Sequence, residues 1–204
     1  MDSRVLQAMR RWPDVPACAG WLALDARGQW WMRQTQALPW PRAGDGSLLR
    51  QGASRLAHAG LCSFIARNYG PDAQGLWYFQ NGPQQVFVEL DAAPLVLRLQ
   101  VLEGSCTWQA HTGDACTVRQ AWLDERGRVW LGSELGPALL HSLDMALLAP
   151  WLDEQATRLS LPGMPPLDLQ PLALADIESR LGLCASPSRL ARWRDAGAAL
   201  SSSA

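Results

Sequence analysis

Apolar and polar residues alternate cleanly in two neighbouring stretches. In QVFVEL at 85–90, Val86, Val88 and Leu90 share one side and Phe87 and Glu89 the other. In LVLRLQV at 95–101, Leu95, Leu97, Leu99 and Val101 share one side, while Arg98 and Gln100 take the other. A period of two predicts antiparallel strands with one face in the core and one in water. On that reading Glu89 and Arg98 form an exposed cross-strand ion pair. The aromatic run LWYFQ at 76–80 predicts a third strand ahead of them. Pro83 argues for a wide loop after Asn81-Gly82, because a residue before proline prefers extended backbone.

Elsewhere the period is helical. Ala57, Leu61, Phe64, Ile65 and Asn68 repeat at helical spacing over 54–68, with Ser54 as N-cap and Tyr69-Gly70-Pro71 as stop. Leu140, Leu143 and Leu147 align in a predicted helix over 138–149. A short amphipathic helix is predicted over 1–11, ended by Pro13 and Pro16. Residues 39–46 are a loop, 160–172 a Pro-rich linker, and 173–182 with 187–196 a helical pair. The last four residues, SSSA, are expected to be disordered.

One short phrase occurs twice. Residues 24–32 read LDARGQWWM and residues 123–131 read LDERGRVWL, sharing Leu, Asp, Arg, Gly and Trp. Each has the chemistry of a tight hairpin. Asp25 and Asp124 open the turn, and Gly28 and Gly127 take the left-handed position where a Cβ is penalised. The expected architecture is α+β: a mostly antiparallel curved sheet built from two similar hairpin-plus-helix units, with a helical C-terminal extension. The expected divisions are 1–105, 106–159 and 160–204.

Composition narrows the function. The 204 residues carry a formal net charge of −1, so no strong field gathers nucleic acid or anionic lipid. All eighteen basic residues are Arg, which is the habit of a GC-rich bacterial genome. Eleven Trp against three Phe and two Tyr is a high share; most belong to the core, and some are available for a binding face. Five Cys, an odd number without a CxxC, form neither a disulfide framework nor a zinc pattern. Cys106 and Cys116 could face each other across a hairpin. No signal peptide or membrane span is legible, which predicts a cytoplasmic protein without membrane contact.

The three histidines lack metal-ligand spacing, and no nucleophile elbow, Walker loop or dinucleotide fingerprint occurs. The sequence therefore predicts no catalytic residue, no cofactor and no metal. The most residue-specific stretch is Arg67, Asn68 and Tyr69 with Trp77, Asn81 and Gln84, a candidate binding cleft between the helix end and the strands. The competing reading there is a helix cap packing on a hairpin. Near the C-terminus, DIESRLGLCASPSRLARW has the cadence of a helix-turn-helix carrying Arg189, Arg192 and Arg194. Two small helices packed on the body explain it better than DNA binding.

The order of features at 67–100 resembles the proteobacterial domain-of-unknown-function family 1285. The residues that carry the likeness are Gly28 and Trp31, the helix ending near Asn68, then Gly75, Trp77, Pro83, Phe87, Glu89, Asp91 and Pro94, and later the His111-Thr112-Gly113-Asp114 turn. The likeness spans about residues 20–135. The chain departs from that pattern in a long 34–53 insertion and a Pro-rich C-terminal extension, and a closer uncharacterised relative fits as well. The resemblance implies an α+β fold with repeated hairpin-and-helix motifs and a part in signalling, and it supplies no catalytic residues. The expected function is a non-enzymatic ligand-binding, protein-binding or regulatory module of a bacterial cytoplasm. Its partner is a small molecule or protein, or a second copy of itself in a homodimer. An enzyme whose site assembles only in the fold is the alternative, and weak DNA binding through the C-terminal helices is the second.

Overall fold

Both repeated phrases fold into hairpins. The first joins β1 (Cys18–Leu24) to β2 (Trp30–Arg33), the second β10 (Val118–Asp124) to β11 (Val129–Ser133), both antiparallel. Gly28 and Gly127 adopt φ of 75° and 72°, as the turn requires. The structure is a computed structural model that describes residues 1–190. The chain forms two compact units: residues 1–25, 29–92 and from Cys184 on in one, 26–28 and 93–183 in the other. Residues 93–105 therefore group with 106–159 and 160–183, and 184–190 return to the first unit.

The first unit holds a six-stranded sheet in the order β3-β2-β1-β6-β5-β4. Its further elements are α1 (Ser3–Arg11), β3 (Ala53–Arg55), α2 (Ala59–Arg67), β4 (Tyr69–Pro71), β5 (Trp77–Asn81) and β6 (Gln84–Leu90). The second unit holds an eight-stranded sheet in the order β13-β14-β10-β11-β12-β7-β8-β9. Its further elements are β7 (Leu95–Leu102), β8 (Ser105–Ala110), β9 (Ala115–Cys116), β12 (Gly136–Leu140), α3 (Met145–Leu148), β13 (Arg158–Leu159), β14 (Leu167–Leu172) and α4 (Ile177–Leu181). Cys106 N–H on β8, near one edge, donates to Pro162 O just beyond β13, the other edge, at 3.1 Å. The sheet thus curls until its edges meet at a seam.

The fold is α+β with few helices, and both sheets are mixed, which corrects the expectation of a mostly antiparallel sheet. β1 runs parallel to β6, β10 to β14 and β12 to β7. Parallel neighbours need long crossovers, so no local turn signal announces them. β1 is flanked on both sides and has Ala19, Leu22, Ala23 and Leu24 buried. That near-continuous apolar run is what a central strand with a parallel partner needs.

Several local expectations are also corrected. The helix expected over 138–149 is a strand followed by a short helical stretch: Ala138, Leu139 and Leu140 lie in β12 between β11 and β7, and helical backbone begins only with a 3-10 turn at Ser142–Asp144 that leads into α3. Leu143 and Leu147 are exposed, while Asp144 is buried. A short apolar run suits a buried strand as well as a helix, and length alone did not separate them. The helix expected from Ser54 starts at Ala59, because Ala53–Arg55 pairs with β2; its N-cap is His58, whose Nδ1 accepts from Leu61 N–H at 3.2 Å. The turn after β5 is tight, with Asn81 paired to Gln84 and Gly82 at φ 58° in the first central position. Part of the expected Pro-rich linker is β14, hydrogen-bonded between β10 and β13. Of the expected helical pair, the first contains α4 and the second begins with a single 3-10 turn at Pro187–Arg189; residues 191–196, with Arg192 and Arg194, and the SSSA end lie outside the described residues.

Candidate ligand-binding cavity

The six residues singled out from sequence all lie in the first unit. Asn68 ends α2 and every one of its polar groups is engaged. Its N–H donates to Ile65 O, its Nδ2 to Phe64 O, its Oδ1 accepts from Asp2 N–H at 2.8 Å, and its O accepts from Gln80 N–H. Arg67 is exposed, reaching Ser63 Oγ at 2.7 Å and the Asp2 carboxylate at 3.2 Å. Tyr69 packs edge-on against Trp30, with centroids 5.0 Å apart, and tilted against Trp77 at 4.8 Å. Burial pushes its phenol well above the ordinary tyrosine value. Trp77 is buried, Asn81 is exposed, and Gln84 Nε2 donates to Pro16 O. The structure therefore gathers Arg67, Asn68, Tyr69 and Trp77 around the α2–β4 junction and leaves Asn81 and Gln84 at the hairpin end.

The three histidines share one habit. Nδ1 of His58, His111 and His141 accepts a backbone N–H, from Leu61, Val96 and Leu143 respectively, at 3.1–3.2 Å. Each imidazole is thereby tied to a turn or strand end, and the lone pair on that nitrogen is not available to a substrate.

Buried carboxylates separate into two kinds. Asp124 accepts from Arg126 N–H, Arg128 N–H, Arg128 Nε at 2.7 Å and Trp130 Nε1 at 2.8 Å. Asp144 accepts both Nε and Nη2 of Arg98, at 2.7 and 2.8 Å, and Leu99 N–H. Arg98 is thus the partner of Asp144, which corrects the exposed pair with Glu89. For both aspartates burial works to raise the carboxyl, but their donors and the adjacent guanidinium outweigh it and hold it below the ordinary value. Glu89 is the opposite case. It is buried, with Arg42 Nη2 at 3.1 Å and Ser186 Oγ at 3.0 Å. Burial raises its carboxyl and the opposing pull of Arg42, Ser186 and Arg189 does not restore it. Strand alternation placed Glu89 in water; the returning segment 184–190, with Leu90 N–H bonded to Ala185 O, covers it.

A glutamate with a raised folded pKa favours the folded state most below its unfolded value, near 4.3, and loses that contribution as pH rises through the folded value. Glu89→Gln, which is neutral at every pH, is therefore expected to gain stability relative to wild type between pH 4.5 and pH 8. Urea denaturation at the two pH values measures this. An equal offset at both would show that the ionised Glu89–Arg42 pair is not disfavoured by burial.

The cavity of interest lies at the seam of the second unit. It encloses about 230 Å³ and is lined by Cys106 and Trp108 of β8, Cys116 of β9, and Leu159, Leu161 and Met164 around β13. Register places Trp108 directly opposite Cys116. Cys106 and Trp108, two residues apart, share a face of β8, as the pleat demands. Neither cysteine is in a disulfide. Burial pushes both thiols up; at Cys116 the Glu134 and Asp114 carboxylates add to this against a hydrogen bond from Ser133. Thiols held above their ordinary value remain protonated near neutral pH and are poor nucleophiles. The seam walls are thus apolar, with soft sulfur and an indole ring, and nothing among the lining residues supplies a ready acid or base. Cys106 and Cys116 therefore do not face each other across the hairpin as expected, since Trp108 takes that place; the contribution from 159–167 had no signal in the sequence.

Comparison with known proteins assigns no activity. A family model named DUF2944 and described as "Protein of unknown function (DUF2946)" matches residues 1–188. No curated protein matches. Two solved structures similar to this chain are DUF1285 family proteins, the family its motifs resemble. The one from Shewanella baltica OS155 is 15% identical, covers 66% of this chain and 94% of that chain, and has a TM-score of 0.43. The one from Silicibacter pomeroyi DSS-3 is 13% identical, covers 77% of this chain and 84% of that chain, and has a TM-score of 0.49. By the match over residues 1–188, the chain belongs to the DUF2944 family, a family of unknown function.

Proposed function

We propose that the protein is a non-enzymatic module that binds a small, largely apolar molecule in the seam cavity of its second unit. The observation that carries this reading is a preformed cavity walled by Leu, Met, Trp and protonated thiols. A cavity of about 150 Å³ with aliphatic and aromatic walls takes benzene, so 230 Å³ suits a monocyclic or small bicyclic molecule. Free cysteines throughout the described residues fit a reducing compartment, in keeping with a bacterial cytoplasm. No helix among the described residues is long and apolar enough to cross a membrane.

The reading includes a doubled plan. The strand order β3-β2-β1-β6-β5 has the same pairing directions as β12-β11-β10-β14-β13. Leu24 faces Trp30 as Leu123 faces Val129, and each Asp accepts the indole N–H of the Trp six residues on. β7, β8 and β9 lie outside that shared order, and two of them wall the cavity. The repeated part is a frame, and the cavity lies where the added β8 and β9 meet its edge at β13 and β14.

Thermal shift with indole and p-cresol tests the reading. A ligand at about ten times its Kd stabilises by about 1.4 kcal/mol, a Tm rise of roughly 3–5 °C for a chain of this size. Thr117→Trp, at an exposed position lining the cavity, is expected to abolish the rise while leaving the unliganded Tm within about 2 °C, as surface substitutions do. No rise with either compound, or the same rise in the variant, would overturn it.

A further inference from the structure

A second cleft in the same unit has different chemistry. It measures about 270 Å³ and is lined by Arg119, Gln120 and Trp122 of β10, Glu134, and Arg180 and Leu181 of α4. Arg180 Nη2 donates to Gln170 Oε1 at 3.1 Å, which orients that guanidinium and leaves its other donors for a ligand. Arg119 is exposed and makes no ion pair among the described residues. Glu134 is turned to the backbone, its Oε1 accepting Thr117 N–H at 3.1 Å. Two guanidiniums therefore outweigh one engaged carboxylate.

The apolar wall is built for a flat body. Trp122 packs on Gly132, where a Cβ would come within 3.1 Å of both the Trp122 ring and Gln120. A side chain at 132 would push the indole or Gln120 back by a few tenths of an ångström. Trp122 is buried, and its Nε1, itself sealed from solvent, finds no acceptor among the described residues, so what the cleft meets is ring surface. Guanidinium groups match carboxylate geometry in a planar, bidentate fashion.

We propose that this cleft binds a small carboxylate carried on a flat apolar body. Arg119 and Arg180 hold the anion, and the Trp122 ring backs the apolar part. The site is separate from the seam cavity and does not depend on it.

Calorimetric titration of the full chain with 2-naphthoate, 2-naphthamide and inorganic phosphate tests the assignment. Saturable binding of 2-naphthoate is expected, with none of the neutral amide. Arg119→Gln and Arg180→Gln are each expected to weaken it about tenfold, the scale of one charge-assisted contact. Trp122→Phe leaves a smaller flat surface and is expected to weaken it at least threefold. Melting curves of the two exposed arginine variants confirm folding and keep the test valid if the Trp122 variant is unstable. Retained binding in Thr117→Trp supports the cleft as the location; loss there moves the ligand to the seam and overturns the proposal. Equal binding of the amide, equal affinity for phosphate, or indifference to both arginine substitutions overturns it as well.

Discussion

Asp124→Ala is expected to destabilise the protein by about 3 kcal/mol. The carboxylate closes the turn by accepting two backbone N–H groups, then reaches Arg128 Nε and Trp130 Nε1. Removing it exposes no water to the indole, since Trp130 is 1% exposed. A buried donor left unsatisfied costs about 1–3 kcal/mol, and a lost charge-assisted bond about 1.5–3 kcal/mol. The turn N–H groups, on exposed Arg126 and half-buried Arg128, regain water and add less. Two to four degrees per kcal/mol puts the fall in Tm at roughly 6–12 °C. Asp25→Ala provides the comparison: its indole partner, Trp31, is only half-buried and regains water, so about 2 kcal/mol is expected. The pH dependence follows from the depressed carboxyl of Asp124. Its contribution is present above the unfolded value, near 3.9, and disappears as pH falls through the folded value. Asp124→Asn should therefore lose stability at pH 7 and close the gap with wild type in acid. A loss that stays constant to pH 3 would show that the charge has no part in the clasp.

The same residues show what sequence can and cannot carry. Gly28 and Gly127 were legible because a left-handed backbone is a local demand. The aspartates were legible as turn openers for the same reason. That each also clasps a tryptophan six residues away depends on the register across the hairpin, and the repeated spacing was its only trace. Alternation in β7 located the strand, with Leu95, Leu97 and Leu99 buried and Arg98 exposed. The same logic failed for Glu89, because the covering segment 184–190 arrives from nearly a hundred residues downstream. Parallel partners of β1, β10 and β12 failed alike: crossovers carry no turn chemistry. The seam cavity combines both difficulties. Its walls come from 106–118 and 159–167, and only the curl of the sheet brings them together.

Gly20→Ala is expected to cost about 3 kcal/mol, and Gly127→Ala about 1–2 kcal/mol, although both glycines have similar backbone angles. Gly20 has φ 83° and sits where β1 shifts register between Cys18 and Leu22. A Cβ there would meet Ala37 O at 2.7 Å and Ala37 C at 3.0 Å, which are backbone atoms and cannot swing aside. Gly127, at φ 72°, has nothing within 4 Å of that position. The left-handed conformation costs an alanine about 1–2 kcal/mol at either place. Only at Gly20 must the chain also retreat, and two hydrogen bonds worth about 1 kcal/mol each go with it: Ala37 N–H to Gly20 O at 3.0 Å and Gln36 Nε2 to Ala19 O at 2.8 Å. Those bonds moor the start of the 34–53 insertion to β1. Farther along, Trp40 and Leu48 pack with Ala23 of the same strand, and Arg42 reaches Glu89. A segment that reads as a loop is thus a cover for one face of a central strand, and Gly20 is where it comes closest. Denaturant unfolding of the two variants separates the contributions. Equal losses would mean that backbone angle accounts for everything at Gly20, and that the insertion lies over β1 without needing the missing side chain.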